Sequence, residues 1–552
     1  MEKLIECIPN FSEGVDLSII KQITDQIESV DGIKLLDVDP GKATNRTVVT
    51  FVGTPQAVVE AAFLGIKKAS ELIDMSKHKG EHPRMGATDV CPLVPLSNIT
   101  VEETVKYANQ LAARVGKELN IPVYMYELAQ SDPKRNNLSV IREGEYEGFF
   151  KKIKKAEWKP DFGPAEFSVR SGGTVIGVRD FLVAYNVNLN TTSVRRANSV
   201  AFDVRERGRE IVDEKGNKKV VPGTLKSVKA LGWFIEEYGQ AQISMNLTNI
   251  NITPVHIAFE ECCKKATERG MRVTGSEIVG LVPLQTLLDA GKFFLQKQQR
   301  SIGVSEKELV HIAIKSLGLD ELSKFDPEKK IIEYQMRKVS DKALQNLTIE
   351  AFADMTASES PAPGGGSISA YLGALSAALG TMVANLSAGK KGWEEKLGEF
   401  SAYAEKGQKL KERLLKLVDE DTSAFNRIMS AFGMPKATEG DKLARKEAIQ
   451  SATRGAIEVP FTVMQKSLEA MQLAKAMAEK GNPNSVSDAG VGALCARSAV
   501  MGAHLNVKIN AGGVEDKAWI EKLLAEADKI EKDALKLEKE ILAQVEKVIS
   551  KS

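Results

Sequence analysis

The strongest constraint on the fold is a change of composition about two-thirds of the way along the chain. Residues 1–350 contain 22 alanines, whereas the shorter stretch 351–552 contains 34. Because alanine is the best helix former, the second stretch favours an all-helical structure. The 552 residues also exceed the about 250–300 residues at which a single hydrophobic core stops growing. We therefore expect several domains of more than one fold class.

The first part of the chain alternates β-branched runs with helical patterns over 55–72 and 101–119. This alternation predicts α/β layers. A second round of strands and helices starts near residue 181, which divides the first part into two subdomains. The runs that we interpret as strands are Ile33–Val38, Thr47–Val52, Ile121–Tyr126, Phe181–Val187 and Gln242–Leu247.

These patterns predict a multi-domain protein with two α/β subdomains followed by an all-α helical bundle. The predicted boundaries are 1–180 and 181–325 for the subdomains, 326–344 for a charged linker, and 345–552 for the bundle. Residues 360–389 carry no charge, but Gly, Ser and Pro interrupt the stretch. We expect a buried helix there and no membrane span.

Charge and cysteine content exclude several classes of protein. Lys+Arg is 75 and Asp+Glu is 74, so the chain lacks the general basic field that nucleic-acid binding needs. The five cysteines form no CxxC pair, which fits a reducing compartment. The N-terminus has acids at Glu2 and Glu6 and no apolar segment typical of a signal peptide. We expect a cytoplasmic protein with neither nucleic-acid nor membrane partners.

The segment 76–89, SKHKGEHPRMGATD, is dense in titratable groups and contains two of the five histidines. Such a loop is a candidate active site, although a solvated surface loop is the alternative. His82 suits a general acid and base, because imidazole titrates near neutrality. Lys79 and Arg84 are positioned to attract an anionic substrate.

Within this segment, His78-Lys79-Gly80-Glu81-His82 matches the H-x-x-E-H pattern of zinc metalloproteases. That chemistry needs both histidines on one face of a helix. Gly80 and Pro83 disfavour such a helix. A zinc metalloprotease is therefore the weaker alternative, and we expect no metal.

A second polar cluster, residues 37–46, follows a predicted strand. Polar groups at strand ends commonly form sites in α/β folds. Asp39 is suited to orienting a histidine, and Arg46 to holding a carboxylate. An ordinary turn with a surface pair is an equal alternative.

The helical part contains a glycine-rich turn, PAPGGGS at 361–367. Its glycines allow a ligand to approach the backbone, and amides at a helix N-terminus suit an anion. The turn lacks the Gly-Lys-Ser/Thr of a P-loop, and a plain helix start is the alternative. The candidate binding residues are Gly364, Gly365, Gly366 and Ser367.

Residues 410–428 form an amphipathic helix pattern in which Asp421 interrupts the apolar stripe. A carboxyl group on that face is partly desolvated, which raises its pKa and suits acid–base catalysis. A buried aspartate with a structural hydrogen bond is the alternative. The predicted stripe consists of Leu410, Leu414, Leu417, Phe425 and Ile428.

About the first 325 residues resemble the glutamate formimidoyltransferase family. The resemblance implies two α/β subdomains that bind tetrahydrofolate between them, with N-formimidoyl-L-glutamate as donor. It assigns catalysis to His82 and folate binding to Gly163, Pro164, Phe167 and Gly172. The matching segments are CIPNFSEG at 7–14, LLDVD at 35–39, NRTVVTFVG at 45–53, IDMSKHKGEHPRMGATDVCPLVP at 73–95, DFGP at 161–164 and IVGLVPLQ at 278–285.

About residues 345–550 resemble formimidoyltetrahydrofolate cyclodeaminase. The resemblance implies an all-helical domain that forms at least a homodimer, with Asp421 catalytic and a tetrahydrofolate substrate that we expect to be polyglutamylated. A non-catalytic folate-binding scaffold is an alternative, against which both His82 and Asp421 argue. The matching segments are APGGGS at 362–367, VDEDTSAF at 418–425, VPFTV at 459–463, GNPNSVSDAGVGA at 481–493 and NVKIN at 506–510.

Overall fold

The computed structural model describes residues 3–42, 45–80, 83–166, 168–212, 218–336 and 343–551. They fold into two compact units, one of residues 1–286 with 317–337 and one of residues 287–316 with 338–552. The first unit is α/β and the second is helical, which confirms the predicted fold class.

The α/β unit contains every strand of the described chain, together with short and medium-length helices. Its strands are β1 (Leu4–Cys7), β2 (Asn10–Phe11), β3 (Ile33–Gly41), β4 (Arg46–Gly53), β5 (Thr88–Ser97), β6 (Val123–Glu127), β7 (Thr174–Val178), β8 (Val183–Leu189), β9 (Arg209–Val212), β10 (Lys218–Val221), β11 (Val228–Ile235), β12 (Gln240–Leu247) and β13 (Val273–Val279). The helices up to residue 336, of which α8 and α9 lie almost entirely in the helical unit, are α1 (Leu17–Glu28), α2 (Pro55–Leu72), α3 (Val101–Glu118), α4 (Leu138–Arg142), α5 (Glu145–Lys152), α6 (Val194–Val204), α7 (Val255–Thr267), α8 (Leu284–Lys297), α9 (Glu306–Leu317), α10 (Pro327–Lys330) and α11 (Ile332–Met336).

Two sheets organise this unit. The first runs β1-β4-β2-β5-β7-β6, with β3 added beside β4. Strands β5, β7 and β6 are parallel to one another, whereas β1 and β3 pair antiparallel with β4. The second sheet is antiparallel, in the order β11-β12-β8-β13. Helices α1 to α3 pack on the first sheet, and α6 and α7 on the second.

Alternation along β4 shows how the first sheet separates its two faces. Val49 and Phe51 are fully buried in the core beneath the helices. Arg46, Val48 and Thr50 alternate with them and line a cleft on the other face. Successive side chains of a strand point to opposite faces, so β4 contributes apolar side chains to the core and other side chains to the lining of the cleft.

The helical unit is built from long helices around a core rich in alanine, as its composition predicts. They are α12 (Ile349–Ala357), α13 (Gly365–Ala388), α14 (Leu397–Phe432), α15 (Glu439–Lys480), α16 (Val486–Ala511) and α17 (Lys517–Ile549). The charge-free helix α13 has the length and apolarity of a membrane span, but 61% of its most apolar window is buried in the unit. It is a core helix, as the sequence predicted.

Residues 287–316 belong to the helical unit, although they lie inside the predicted second subdomain. The turn between α8 and α9 contacts α13 and α14 of that unit. The carbonyl of Gly303 accepts hydrogen bonds from Asn385 at 3.0 Å and Gln408 at 3.3 Å. A side chain on Gly303 would collide with Ala404 of α14. The domain boundaries of the sequence analysis stay predictions.

Candidate active sites

A cleft of about 1150 Å³ lies between the two sheets of the α/β unit. The first sheet contributes polar side chains from β1 to β4, and the second contributes β11, β12 and the start of β8. The cleft therefore draws residues from both predicted subdomains. Its charged lining comprises Glu6, Asp37, Asp39, Arg46, Glu127, Arg142, Arg179, Asp180, Lys229 and Lys330.

Asp39 and Arg46, both predicted site residues, line this cleft. The guanidinium of Arg46 donates to Asn10 Oδ1, and burial lowers the pKa of Arg46. Beside it, the buried carboxylate of Asp89 accepts from the Met85 amide at 2.9 Å and from Arg142. Asn10 and Arg142 were not singled out from the sequence. Asn10 lies within the segment CIPNFSEG, which carried the family resemblance, whereas nothing local marks Arg142.

Asn45 joins the two clusters that the sequence analysis proposed separately. Its side-chain amide donates to the carbonyl of Lys79 at 2.9 Å, and His78 Nε2 donates to the carbonyl of Asn45 at 2.9 Å. Asn45 also accepts from the Gly14 amide at 3.0 Å, and its φ of 47° is in the left-handed region. The loop after α2 is thereby held against the end of the β3–β4 hairpin.

The candidate residues of that loop have different surroundings. Lys79 is exposed. Arg84 is buried and donates to Glu147 at 2.7 Å and to Glu145 at 3.0 Å; the hydrogen bond to Glu147 is the main cause that raises the pKa of Arg84. Its guanidinium thus already binds two carboxylates of α5, and a contact with substrate stays a prediction.

The histidine pattern is only partly within the described chain. Glu81 and His82 lie outside the described residues, so the predicted catalytic histidine is not placed. His78, Lys79 and Gly80 are not helical. The helix that a zinc metalloprotease needs across this pattern is thus absent from its described half.

The predicted folate-binding loop contacts the same region. The Met75 amide donates to the carbonyl of Arg170 at 2.9 Å, and Ala87 donates to that of Ser171 at 2.8 Å. Gly172, with φ of +69°, lies so close to Met85 and Gly86 that a side chain would collide with their backbone. The structure therefore brings this loop onto the segment that precedes β5.

Two other predicted residues of the loop, Gly163 and Pro164, do not line the cleft. Gly163 has φ of +83° and packs against the backbone of Gly116 and Ile121, which explains its lack of a side chain. Pro164 is half-buried. Phe167 lies outside the described residues. Folate contacts of these three residues stay predictions.

In the helical unit, the glycine-rich turn meets the predicted catalytic aspartate. Gly364 precedes α13 as its N-cap, and a side chain on Gly366 would collide with the Asp421 carboxylate. Ser367 is fully buried and donates to Asp421 Oδ2 at 3.0 Å. Its hydroxyl also lies 3.0 Å from the carbonyl of Val418. Helices α13 and α14 thus place a carboxyl group directly against a helix N-terminus.

The three consecutive acids of α14 have different partners. Asp419 accepts from the Leu344 amide at 2.7 Å, and Glu420 pairs with Arg413 at 3.0 Å. Asp421 faces the turn, where burial raises its pKa and the hydrogen bonds from Ser367 partly oppose that rise. The apolar stripe continues through Val418 and Ala424, whereas Phe425 is 37% exposed and does not belong to it.

Asn506 of α16 is a further polar group at this turn. Its amide nitrogen would lie 3.3 Å from a Cβ on Gly365, and it donates to the carbonyl of Gly502 at 2.9 Å. The segment NVKIN supported the family resemblance, but nothing in the helical pattern predicted that Asn506 reaches the turn. The site therefore draws on three helices.

Among the described residues, one group has donors and spacing that fit a metal ion: His504, Asp528 and Glu531. His504 is buried on α16, and its two ring nitrogens lie 3.2 Å from carboxylate oxygens of Asp528 and Glu531 on α17. The group is separate from the histidine pattern of the first unit. The predicted absence of a metal stays a prediction.

Comparison with known proteins covers both units. The family model "Formiminotransferase domain, N-terminal subdomain" matches residues 4–179, "Formiminotransferase domain" matches 184–337, and "Formiminotransferase-cyclodeaminase" matches 348–529. A formimidoyltransferase-cyclodeaminase of Dictyostelium discoideum is 43% identical over 97% of both chains. The chain belongs to the formimidoyltransferase-cyclodeaminase family.

Relatives that match only part of the chain divide it in the same way. A glutamate formimidoyltransferase of Thermoplasma acidophilum is 45% identical and covers 53% of this chain and 92% of its own. A methenyltetrahydrofolate cyclohydrolase of Methylorubrum extorquens is 40% identical and covers 37% of this chain and 99% of its own. As a member of the formimidoyltransferase-cyclodeaminase family, the chain is a bifunctional, folate-dependent transferase and lyase of histidine degradation and one-carbon metabolism.

Proposed function

We propose that the α/β unit transfers the formimidoyl group of N-formimidoyl-L-glutamate to N5 of tetrahydrofolate, and that the helical unit then closes the ring. The product of the second step is 5,10-methenyltetrahydrofolate, and ammonia is released. The observation that carries the proposal is the desolvated carboxyl of Asp421, held by Ser367 at the N-terminus of α13. Each partial reaction has its own site.

In the transfer, N5 of tetrahydrofolate attacks the formimidoyl carbon, and the bond from that carbon to the glutamate nitrogen breaks. We assign to His82 the removal of the N5 proton and its return to the departing glutamate nitrogen. The position of Asp39 and Arg46 in the cleft supports their role in binding. Lys79, Arg84 and the loop from Gly163 to Gly172 remain proposed contacts for the anionic substrates.

In the cyclisation, N10 attacks the same carbon, and the bond to the terminal nitrogen breaks. Asp421 donates a proton to that nitrogen so that it leaves as ammonia, and the proton that N10 loses on attack returns the Asp421 carboxylate to its acid form. A raised pKa suits this role, since the carboxyl must hold a proton near neutrality. The amides of Gly365 and Gly366, at the positive end of α13, are suited to an anionic part of the folate.

We propose that two α/β subdomains share the transferase site and that the helical bundle carries the cyclodeaminase site. We also propose that the tetrahydrofolate substrate is polyglutamylated, that the reactions require no metal, and that the protein is cytoplasmic. We further propose that the helical unit forms a homodimer. In support, neighbouring helices α13 and α16 present apolar side chains that are 37–49% exposed: Leu375, Met382, Leu386, Val491 and Leu494. A second copy would remove this surface from water.

One assay tests both steps. The protein is incubated with N-formimidoyl-L-glutamate and tetrahydrofolate, and methenyltetrahydrofolate absorbance and ammonia are followed together. We expect both to rise in equal amounts. Loss of donor without ammonia would leave only the transfer supported, and no turnover would support a folate-binding scaffold.

The Methylorubrum relative is named for hydrolysis of the methenyl compound, so the helical unit has a second candidate reaction. Methenyltetrahydrofolate supplied alone separates the two. With a cyclodeaminase, the methenyltetrahydrofolate absorbance should decay no faster than it does without enzyme. A cyclohydrolase should make the absorbance decay faster, without forming ammonia.

A further inference from the structure

We propose that Glu6 is the binding site for the formamidinium group of the donor substrate. The inference rests on the proposed transfer reaction and assigns to one side chain the recognition of the group that is transferred. The carboxylates already discussed at the transfer site are less suited to it, because Asp39 is exposed to water and Asp89 already accepts from Arg142. Arg46, Lys79 and Arg84 are cations, which bind the carboxylates of the substrates and repel a positive group.

Glu6 belongs to β1, whose side chains alternate between core and cleft. Ile5 and Cys7 are fully buried beneath the helices, whereas Glu6 lines the cleft between the two sheets. Only 1% of the residue is exposed. Its Oε2 atom has no hydrogen-bond partner within the part of the chain that the structure describes. A buried carboxylate oxygen without a donor is costly unless a ligand supplies one.

The electrostatic surroundings leave this carboxyl ready for a cation. Burial raises the pKa of Glu6 to about 7. Arg179 lowers that value and Glu333 raises it, so the charges around the group largely oppose each other. Arg179 itself donates to the carbonyl of Asp180 at 3.0 Å. The carboxyl thus gains or loses its proton near neutrality, and an arriving cation favours the charged form.

The donor substrate carries a group of matching chemistry. A formamidine is a strong base that is protonated at neutral pH, and its two nitrogens present N–H groups in a planar fork. A carboxylate accepts such a fork through both oxygens, as it does from arginine. The transferred group is therefore distinguished from a formyl group, which is neutral and whose amide has a single N–H in place of a fork of two.

Glu6→Gln keeps the shape of the side chain and removes its charge. We expect the KM for N-formimidoyl-L-glutamate to rise about 10- to 100-fold, the range for a hydrogen bond to a charged group. The inhibition constant of N-formyl-L-glutamate, an analogue whose formyl group is neutral, should stay within about twofold. A purely structural role for Glu6 would change both constants equally. Glu28→Gln, which neutralises an exposed glutamate at the end of α1 that does not line the cleft, is the matched control.

The pH dependence gives a second readout. In the wild type, binding of the donor should tighten as pH rises through about 7, because only the charged carboxylate pairs with the cation. This dependence should vanish in Glu6→Gln. An unchanged KM for tetrahydrofolate in the transfer reaction reports that the α/β unit of the variant is folded.

Two outcomes are kept apart by the design. If the wild type does not transfer the group at all, the proposed function fails. If the wild type does transfer the group, but Glu6→Gln has the same ratio of donor KM to N-formyl-L-glutamate inhibition constant as the wild type, only the assignment of Glu6 fails. If the variant does not fold, inhibition of the wild-type enzyme tests the proposal instead. Formamidine should inhibit competitively against the donor, whereas formamide should not. Equal inhibition by the two compounds would overturn the proposal.

Discussion

At the scale of single residues, the chain places two carboxyl groups in similar surroundings in two different units. Glu6 and Asp421 are each desolvated, and burial raises the pKa of each. Their partners differ: Asp421 accepts a hydrogen bond from Ser367, whereas Glu6 lines the cleft and its Oε2 atom has no hydrogen-bond partner among the described residues. The first arrangement fixes a proton donor in place, and the second leaves an acceptor for a ligand.

Asp421→Asn should block ammonia release and leave transfer intact. The amide keeps the shape of the side chain but has no proton to transfer, and general acid–base catalysis contributes about 10²- to 10⁴-fold. Methenyltetrahydrofolate formation is the measurement, with transfer to N5 as the internal control. Unchanged methenyl formation would contradict the assignment.

Ser367→Ala should change the pH profile of cyclisation. The hydrogen bonds from Ser367 lower the pKa of Asp421, so their loss raises that pKa further. Because the protonated carboxyl is the active form, the fall of activity at high pH should move upward. Ser376→Ala is the matched control, since Ser376 is equally buried on α13 but lies about 13 Å further along the helix. The same shift in both variants would argue against a positioning role.

His82→Ala should reduce transfer by at least the about 10²-fold expected for general acid–base catalysis, while tetrahydrofolate binding persists. The prediction rests on the family resemblance, since His82 lies outside the described residues. Transfer rate and folate affinity, measured on the same preparation, separate catalysis from binding. Near-normal turnover would refute the assignment.

At the scale of elements, α13 and α14 approach each other closely because α13 begins with glycines, which have no side chain. Gly366→Ala should destabilise the unit and slow cyclisation, because the new Cβ would meet the Asp421 carboxylate. Overpacking costs about 1–3 kcal/mol, more than the about 1 kcal/mol that alanine gains over glycine in a helix.

Gly398→Ala is the control for this substitution. Gly398 lies near the start of α14, and a Cβ there would meet open space, so the melting temperature should stay equal or rise. If both alanine variants behaved alike, the close approach of Gly366 to Asp421 would have no energetic consequence.

The elements themselves were predictable from the sequence because their signals are local. The helical pattern over 55–72 became α2 with the same bounds, and the run Thr47–Val52 became β4. The site residue Asp421 could also be predicted from the sequence, since helical spacing placed it on the same face as Leu414 and Leu417, which are fully buried. In each case the information lies within a few turns or one strand.

Partners distant in sequence were not predictable. Arg84 binds Glu145 and Glu147, which lie about 60 residues further along, and composition gave no sign of this pairing. Asn506 reaches Gly365 only because α16 packs beside α13. The buried position of Glu6 likewise follows from the pairing of β1 between β4 and β5, which a single sequence does not specify.

At the scale of the whole molecule, Gly303 lies within the predicted second transferase subdomain but packs in the helical unit, so it should affect the stability of the helical unit. Gly303→Ala should destabilise the helical unit by about 1–3 kcal/mol, because the new methyl would collide with Ala404. Thermal inactivation, followed separately for cyclisation and transfer, is the measurement. We expect cyclisation to be lost at a lower temperature, and equal loss of both activities would contradict the prediction.

The carbonyl of Gly303 bonds to α13 and α14, the two helices that carry Ser367 and Asp421. Inherited or engineered variants in residues 287–316 would be assigned to the transferase by their position in the sequence. Their effect should nevertheless appear as a heat-sensitive cyclodeaminase, with accumulation of the formimidoyl intermediate rather than of the donor. For this stretch, a genotype is better interpreted from packing neighbours than from domain boundaries.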